Sequence, residues 1–229
     1  MKGRVLIVAG SDSGGGAGIQ ADIKTVTALG GFAMTAITAL TAQNTQGVHD
    51  IHGVPEDFIT RQIEVVLSDL GADALKTGML HSPAVIETVV KALETCDAPL
   101  VVDPVMRAKG GAALLLPEAQ AALVELLLPR ATLLTPNVPE AEALTGMSIQ
   151  SMADLQAVGE RLMTLGPKAV LMKGGHLDSA AMTDVLVTDE GASIIGLGRI
   201  RRNTPHTHGT GCTLASAVAA GLAQQLTLH

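Results

Sequence analysis

Thr207-His208-Gly209-Thr210-Gly211-Cys212, followed by Thr213-Leu214-Ala215-Ser216-Ala217-Val218-Ala219-Ala220-Gly221-Leu222-Ala223, is a glycine-rich turn running into a helix of small residues. Such a junction gathers unpaired backbone N–H groups and the positive end of the helix dipole at one point. That point suits a phosphate or a developing oxyanion. Gly209 and Gly211 lack a Cβ and let the backbone approach the anion. Cys212 falls in the first helical turn, where a thiol's pKa tends to drop. An ordinary helix start with a buried cysteine has the same local pattern, so the rest of the chain decides.

Working back from this helix, strand-like runs alternate with helical ones. Arg4 to Ala9 reads as a short buried strand, Gly10 to Gly18 as a loop and Ile19 to Leu29 as a helix. Phe32 to Ala42 reads as a strand, Val48 to Val54 as a short edge strand, and Pro55 opens a helix from Glu56 to Leu70. Ala74 to Lys76, Pro99 to Val102, Thr132 to Thr135 and Ala169 to Met172 read as further strands. Between them lie helices from Ser82, an N-cap, to Glu94, and over Pro117 to Leu128, Glu140 to Leu144 and Met152 to Leu165. Met182 to Thr188 and Ala192 to Leu197 flank Asp189-Glu190-Gly191, a hairpin signal. The pattern predicts an α/β fold: a mostly parallel central sheet with helices on both faces and a short edge hairpin. Function in that architecture sits at the carboxyl ends of strands.

The 229 residues fit one domain. An apolar fraction of 47% is ample for a core, but with two Phe, no Tyr and no Trp, aliphatic residues must fill it. The net charge of −7 argues against a nucleic-acid partner. The basic cluster Arg199, Arg201, Arg202 reads as a solvated strand end. The apolar run Val5 to Ala9 is too short for a signal peptide, and no stretch approaches the roughly 20 apolar residues of a membrane helix. Cys96 and Cys212 lie far apart and no metal-ligand spacing exists, so the chain reads as cytoplasmic.

The chemistry-bearing residues fall at strand ends. Gly14, Gly16 and Gly18 are spaced G-x-G-x-G, which is neither the dinucleotide fingerprint nor a Walker A loop. They read as a close-approach loop over a small substrate or as a flexible turn. Gln43 offers an acceptor and two donors on a planar amide, suited to an aminopyrimidine edge or simply to solvent. Met79, Val105 and Met106 can form an apolar wall or plain packing. Asp103 ends an apolar run, where a carboxylate can hold a metal or water. Asn137 and Glu140, three apart at a strand end and helix start, can face one ion such as Mg²⁺; Glu140 equally suits a helix N-terminus. Lys173, followed by Gly174-Gly175, suits a polyphosphate, and His176 reads as structural.

These segments appear in order along the whole chain: G-S-D-S-G-G-G-A-G-I-Q-A-D (Gly10 to Asp22), A-Q-N-T (Ala42 to Thr45), K-T-G-M-L (Lys76 to Leu80), V-D-P-V-M (Val102 to Met106), T-P-N-V-P-E-A (Thr135 to Ala141), M-K-G-G-H-L (Met172 to Leu177) and T-H-G-T-G-C-T (Thr207 to Thr213). Together they resemble the hydroxymethylpyrimidine/phosphomethylpyrimidine kinases of the ribokinase-like superfamily, which serve thiamine biosynthesis. The resemblance implies a single kinase domain over residues 1–229, with further C-terminal elements normally following. It implies ATP and Mg²⁺ as cofactors, a pyrimidine substrate phosphorylated twice, and a homodimer. By the same resemblance Gln43, Ala17, Met79 and Val105 surround the pyrimidine. Asp103 and Glu140, with Asn137, organise Mg²⁺ and its waters. Lys173, Asn137, Thr207 and Thr210 face the nucleotide phosphates, Gly209 and Gly211 line the anion hole with Thr210, and Cys212 stands where many superfamily sugar kinases carry an Asp base. Pro205 and His206 extend the loop before Thr207 and are expected to alter the lid. Two other readings are a pyridoxal kinase of the same Cys-containing branch and a non-catalytic pyrimidine-binding regulator. Intact Asp103, Glu140, Lys173 and Cys212 argue against the regulator.

Overall fold

In the computed structural model, residues 3–108, 111–176, 181–200, 204 and 207–228 are described. The strands are β1 (Arg4–Asp12), β2 (Phe32–Gln43), β3 (Val48–Gly53), β4 (Ala74–Thr77), β5 (Leu100–Val102), β6 (Leu133–Leu134), β7 (Val170–Met172), β8 (Ala181–Thr188) and β9 (Gly191–Ile200). They form one sheet in the order β3-β2-β1-β4-β5-β6-β7-β8-β9. The pairs from β2 through β7 are parallel. β3 joins antiparallel at one edge, and the β8–β9 hairpin closes the other. This is the α/β architecture that the alternating sequence pattern predicts.

The helices are α1 (Gly18–Ala28), α2 (Glu56–Asp69), α3 (Pro83–Ala92), α4 (Ala119–Ala122), α5 (Val138–Thr145), α6 (Met152–Met163) and α7 (Thr210–Ala223). Side chains alternate across a strand, so β1 feeds two cores. Leu6 and Val8 join one face with Ile59, Ile86, Ala141 and Leu155 from α2, α3, α5 and α6. Val5, Ile7 and Ala9 join the other with Ile19 and Val26 of α1 and Ala215, Ala219 and Ala220 of α7. The alanines let α7 lie close on the sheet. Phe32 and Phe58 are both exposed, so the core is aliphatic, as composition requires.

Most element ends shift by a residue or two from the sequence reading, and two stretches differ for a larger reason. β1 does not stop at Ala9 but passes through a bulge to Asp12, because Ser11 and Asp12 still pair with Leu40 and Thr41 of β2. Pro55 opens α2 as expected, standing as its N-cap before Glu56. The helix expected over Pro117 to Leu128 is instead the short α4, a wide π-type turn at Leu123–Leu127 and a 3-10 turn at Leu128–Arg130. The wide turn changes register so that Leu127 and Leu128 are both buried, and Pro129 in the next turn cannot donate to a continuing ladder. Arg201, Arg202, Pro205 and His206 lie outside the described residues, as does the side chain of His176.

Candidate active site

The strand order reverses at β1. From β1 the chain steps outward to β2 on one side, while β4 to β7 build on the other. A crevice therefore opens beyond the carboxyl ends of β1 and β4, the general ligand position in open α/β sheets. Met79 follows β4 there, and its backbone carbonyl accepts from Thr38 Oγ1 at 2.7 Å. Met79 packs with Ala39 and Leu114, and Val105 joins the same small apolar cluster. A Cβ built on Gly10 would stand 3.1 Å from Met79 Sδ. Gln43 ends β2, with its Oε1 accepting from Thr41 Oγ1 at 3.1 Å. Met79 and Val105 follow β4 and β5 on one side of β1, and Gln43 ends β2 on its other side. Ala17 is the N-cap of α1 and donates its N–H to Asp12 Oδ2 at 2.8 Å.

The other side of the crevice is the start of α7. Gly209 is its N-cap in the left-handed region, φ +79. The first bond of the helix is Thr213 N–H to Gly209 O at 2.9 Å, so the amides of Gly211 and Cys212 lie ahead of it. This is the turn at which the sequence places an anion hole. A Cβ at Gly211 would come 3.3 Å from Lys173 Nζ and 4.0 Å from Asp103 Oδ2, so the lysine and the carboxylate border the hole directly. Thr207 contributes its carbonyl, which accepts the Thr210 hydroxyl at 3.0 Å and closes the turn.

Cys212 sits in the first turn as expected, but its protonation is the reverse of the sequence expectation. Burial pushes the thiol up to about 11 against the opposing charge of Lys76; Asp103 and Asp22 add to the rise. Helix-end stabilisation is outweighed here by desolvation and two nearby carboxylates. The sulfur accepts from the Gly18 N–H.

Asp103 follows β5 and is 3% exposed. Its Oδ1 stands 3.2 Å from Lys173 Nζ, at the end of β7. Burial disfavours charge on Lys173, but Asp103 and Glu140 outweigh it and hold the ammonium protonated. Asn137 and Glu140 form a capping box at the start of α5: Glu140 N–H donates to Asn137 Oδ1, and Asn137 N–H donates to Glu140 Oε2, both at 2.9 Å. Asn137 therefore places Glu140, and a backbone bridge sets Asn137 beside Lys173. Burial pushes the Glu140 carboxyl up to about 7, opposed by Lys173 and reinforced by Asp103.

Two clusters were not picked out from the sequence. Fully buried Lys76 donates to both oxygens of Asp22, at 2.9 and 2.8 Å, and Ser216 donates to Asp22 Oδ1 at 2.7 Å. Burial lowers the affinity of Lys76 for its proton, but Asp22, Cys212 and Asp103 more than restore it, so Lys76 is held as the cation of a buried ion pair with Asp22. Ser216 is one turn beyond Cys212, on the same face of α7; that spacing was the available signal. The second cluster is Asp12 with His208, whose Nε2 lies 2.8 Å from Asp12 Oδ2. Asp12 also accepts from Gly14 N–H at 2.8 Å and Gly16 N–H at 3.0 Å. An Asp two residues before a glycine can accept that glycine's N–H, a common turn pattern. Accordingly the glycine loop is ordered on its own carboxylate, with Gly16 against the His208 ring, and is not a free turn.

Crevice, anion hole and paired charges are what a phosphoryl-transfer site requires. The family model for phosphomethylpyrimidine kinase matches residues 12–229. The chain is 49% identical over 228 residues to the hydroxymethylpyrimidine/phosphomethylpyrimidine kinase of Bacillus subtilis (strain 168), covering 99% of this chain and 83% of that protein. It superposes on the crystal structure of phosphomethylpyrimidine kinase from Clostridium difficile 630 with a TM-score of 0.86 at 44% identity, covering 98% of this chain and 92% of that one. An ADP complex of Bacillus subtilis pyridoxal kinase gives a TM-score of 0.91 at 37% identity, over 100% of this chain and 86% of that one. With the glycine turn, Lys173 and the Asp103 carboxylate assembled at one switch point, and with the match running nearly end to end, the chain belongs to the phosphomethylpyrimidine kinase family.

Proposed function

We propose that this chain transfers phosphate from ATP to 4-amino-5-hydroxymethyl-2-methylpyrimidine and then to the resulting monophosphate. The observation that carries this reading is that the start of α7 meets Lys173 and Asp103 at the sheet end where Met79 and Val105 form an apolar cluster. Gln43 reads the aminopyrimidine edge, while Met79, Val105 and Ala17 hold the ring. The Gly209–Gly211 turn receives charge on the transferring group, and Lys173, Asn137, Thr207 and Thr210 face the nucleotide phosphates.

The residues fit a hard divalent cation. Asp103 and Glu140 are both buried, Asp103 adds to the burial that holds the Glu140 proton, and Lys173 and two backbone N–H groups oppose them. Mg²⁺ takes few carboxylates and completes its shell with phosphates and water. Bound there, it would neutralise charge on the β- and γ-phosphates. Since Glu140 must lose its proton to act as a ligand, cation binding competes with protonation. The carboxyl is raised to about 7, so Mg²⁺–ATP affinity is expected to rise as pH increases through that value. Asp103→Asn and Glu140→Gln should each cut turnover much more than pyrimidine binding, and Glu140→Gln should flatten the pH dependence. Normal turnover of both variants at limiting Mg²⁺ contradicts the assignment.

Gln43→Ala is expected to weaken pyrimidine binding by about 1–3 kcal/mol, the cost of leaving a polar partner unpaired. Unchanged affinity by calorimetry removes Gln43 from the site. The reading includes a homodimer in the cytoplasm. No helix among the described residues is long and apolar enough to cross a membrane. The outer strand β3 and the exposed Leu40 beside it offer a face for a second copy, which sedimentation tests.

Pyridoxal phosphorylation is the second reading, favoured by the likeness to the pyridoxal kinase fold. ADP release with the pyrimidine alcohol, its monophosphate and pyridoxal separates the two. The proposal expects kcat/KM to be highest for the pyrimidine pair; a higher value for pyridoxal overturns it.

A further inference from the structure

Hydrogen bonds and the Asp12–Ser13 peptide link connect the main chain of Gln43 to the turn at the start of α7. Gln43 N–H donates to Ser13 Oγ, and Ser13 Oγ donates back to Gln43 O, both at 2.8 Å. The next residue, Asp12, is 2% exposed. Its carboxylate gathers the N–H groups of Gly14, Gly16 and Ala17, which fixes the whole loop. Lys24 Nζ holds the same loop from outside through Gly15 O at 2.7 Å. The remaining partner of Asp12 comes from the far end of the sequence: His208 Nε2–H donates to Oδ2 at 2.8 Å. His208 immediately precedes Gly209, the N-cap of α7. Backbone contact reinforces the bridge, because the space a Gly209 side chain would fill is taken by Gly16 O.

We infer that His208 and Asp12 are positioning residues that couple occupancy of the pyrimidine pocket to the geometry of the anion hole. This rests on the functional reading above. Asp12 holds both the glycine loop and the His208 ring, and the ring adjoins the Gly209 turn, so a pyrimidine that restrains the loop further restrains the turn as well. A carboxylate with four donors has one arrangement that satisfies all of them, so loop and turn order together. Coupling of this kind is reciprocal: each ligand tightens the other by the same factor.

The test is calorimetric titration of AMP-PCP with Mg²⁺, with and without saturating pyrimidine alcohol, in the parent chain, His208→Ala and His208→Gln. The parent is expected to bind AMP-PCP about fivefold or more tightly when the pyrimidine is present, the low end of ordinary coupling. In His208→Ala the ratio should fall to about one with little change in Tm, and His208→Gln, which keeps a donor, should recover part of it. A ratio in His208→Ala equal to the parent's overturns the inference. A second measurement needs no variant: hydrogen exchange of residues 13–17 in the parent should slow when AMP-PCP binds alone, and unchanged exchange also overturns it. Parent turnover is measured alongside. No ADP release with the pyrimidine sinks the functional reading and this inference with it, whereas normal release with His208-independent coupling sinks only the inference.

Discussion

Gly209→Ala should lower kcat by about two to three orders of magnitude, the loss expected when an oxyanion-stabilising arrangement is displaced. Gly209 lies at φ +79, and a Cβ there would stand 1.7 Å from Gly16 O and 2.7 Å from Gly16 C. Both are backbone atoms, so no rotamer change relieves the clash. Either the glycine loop lifts away from the turn or the start of α7 shifts, and the account assigns catalytic positions to both. Gly53→Ala is the control, since no atom lies within 4 Å of its Cβ position; it should leave turnover unchanged. Thermal unfolding of both variants separates a local defect from a failure to fold. A folded Gly209→Ala protein with turnover within about threefold of the parent would show that the turn does not serve the reaction.

Cys212→Ser should lose most activity, by roughly a hundredfold if general base assistance is lost, whereas Cys212→Asp should keep a measurable part. Serine preserves the size and the first-turn amides but is a poor base; aspartate restores the carboxylate of many superfamily sugar kinases. The raised thiol sharpens this prediction. With a pKa of about 11, pH 7 lies four units below it, so about one molecule in ten thousand carries a thiolate in the free protein. A thiol that holds its proton cannot accept one from the substrate hydroxyl, so base assistance draws on the small thiolate fraction, which grows as pH rises. Alkylation of Cys212 in a Cys96→Ala background should accelerate about tenfold per pH unit from pH 7 to 9, and the pyrimidine should protect. A plateau near pH 7 contradicts the raised thiol. Parental turnover in Cys212→Ser removes the base role and leaves the cysteine as packing.

The fold was legible because its signal is local. Val5 to Ala9, Leu100 to Val102 and Val170 to Met172 are buried strands with 0–7% exposure, and the segments between them carry helical periodicity. The failures were at places where a tertiary partner sets the boundary. β1 continues through Gly10 to Asp12 because β2 pairs with it there. The 119–130 segment changes helix type because two consecutive leucines must both reach the core. At the site, motifs at strand ends marked Lys173, Asp103, Glu140 and the Gly209 turn, since strand ends converge in this topology. The Asp12–His208 pair spans 196 positions and the Asp22–Ser216 contact 194; no local pattern encodes such pairings. Cys212 misled for a related reason. A helix start predicts a lowered thiol pKa, and only the folded surroundings reveal the desolvation and the carboxylates that raise it.

Two successive phosphoryl transfers at one anion hole are the central claim, and mass spectrometry of the reaction over time tests it most directly. The chain is incubated with ATP, Mg²⁺ and 4-amino-5-hydroxymethyl-2-methylpyrimidine. The account predicts that the pyrimidine monophosphate rises and then falls as the diphosphate accumulates, with two ADP formed per diphosphate and both steps lost together in Gly209→Ala. A reaction that halts at the monophosphate, or that leaves the pyrimidine untouched while converting pyridoxal to its phosphate, would contradict it.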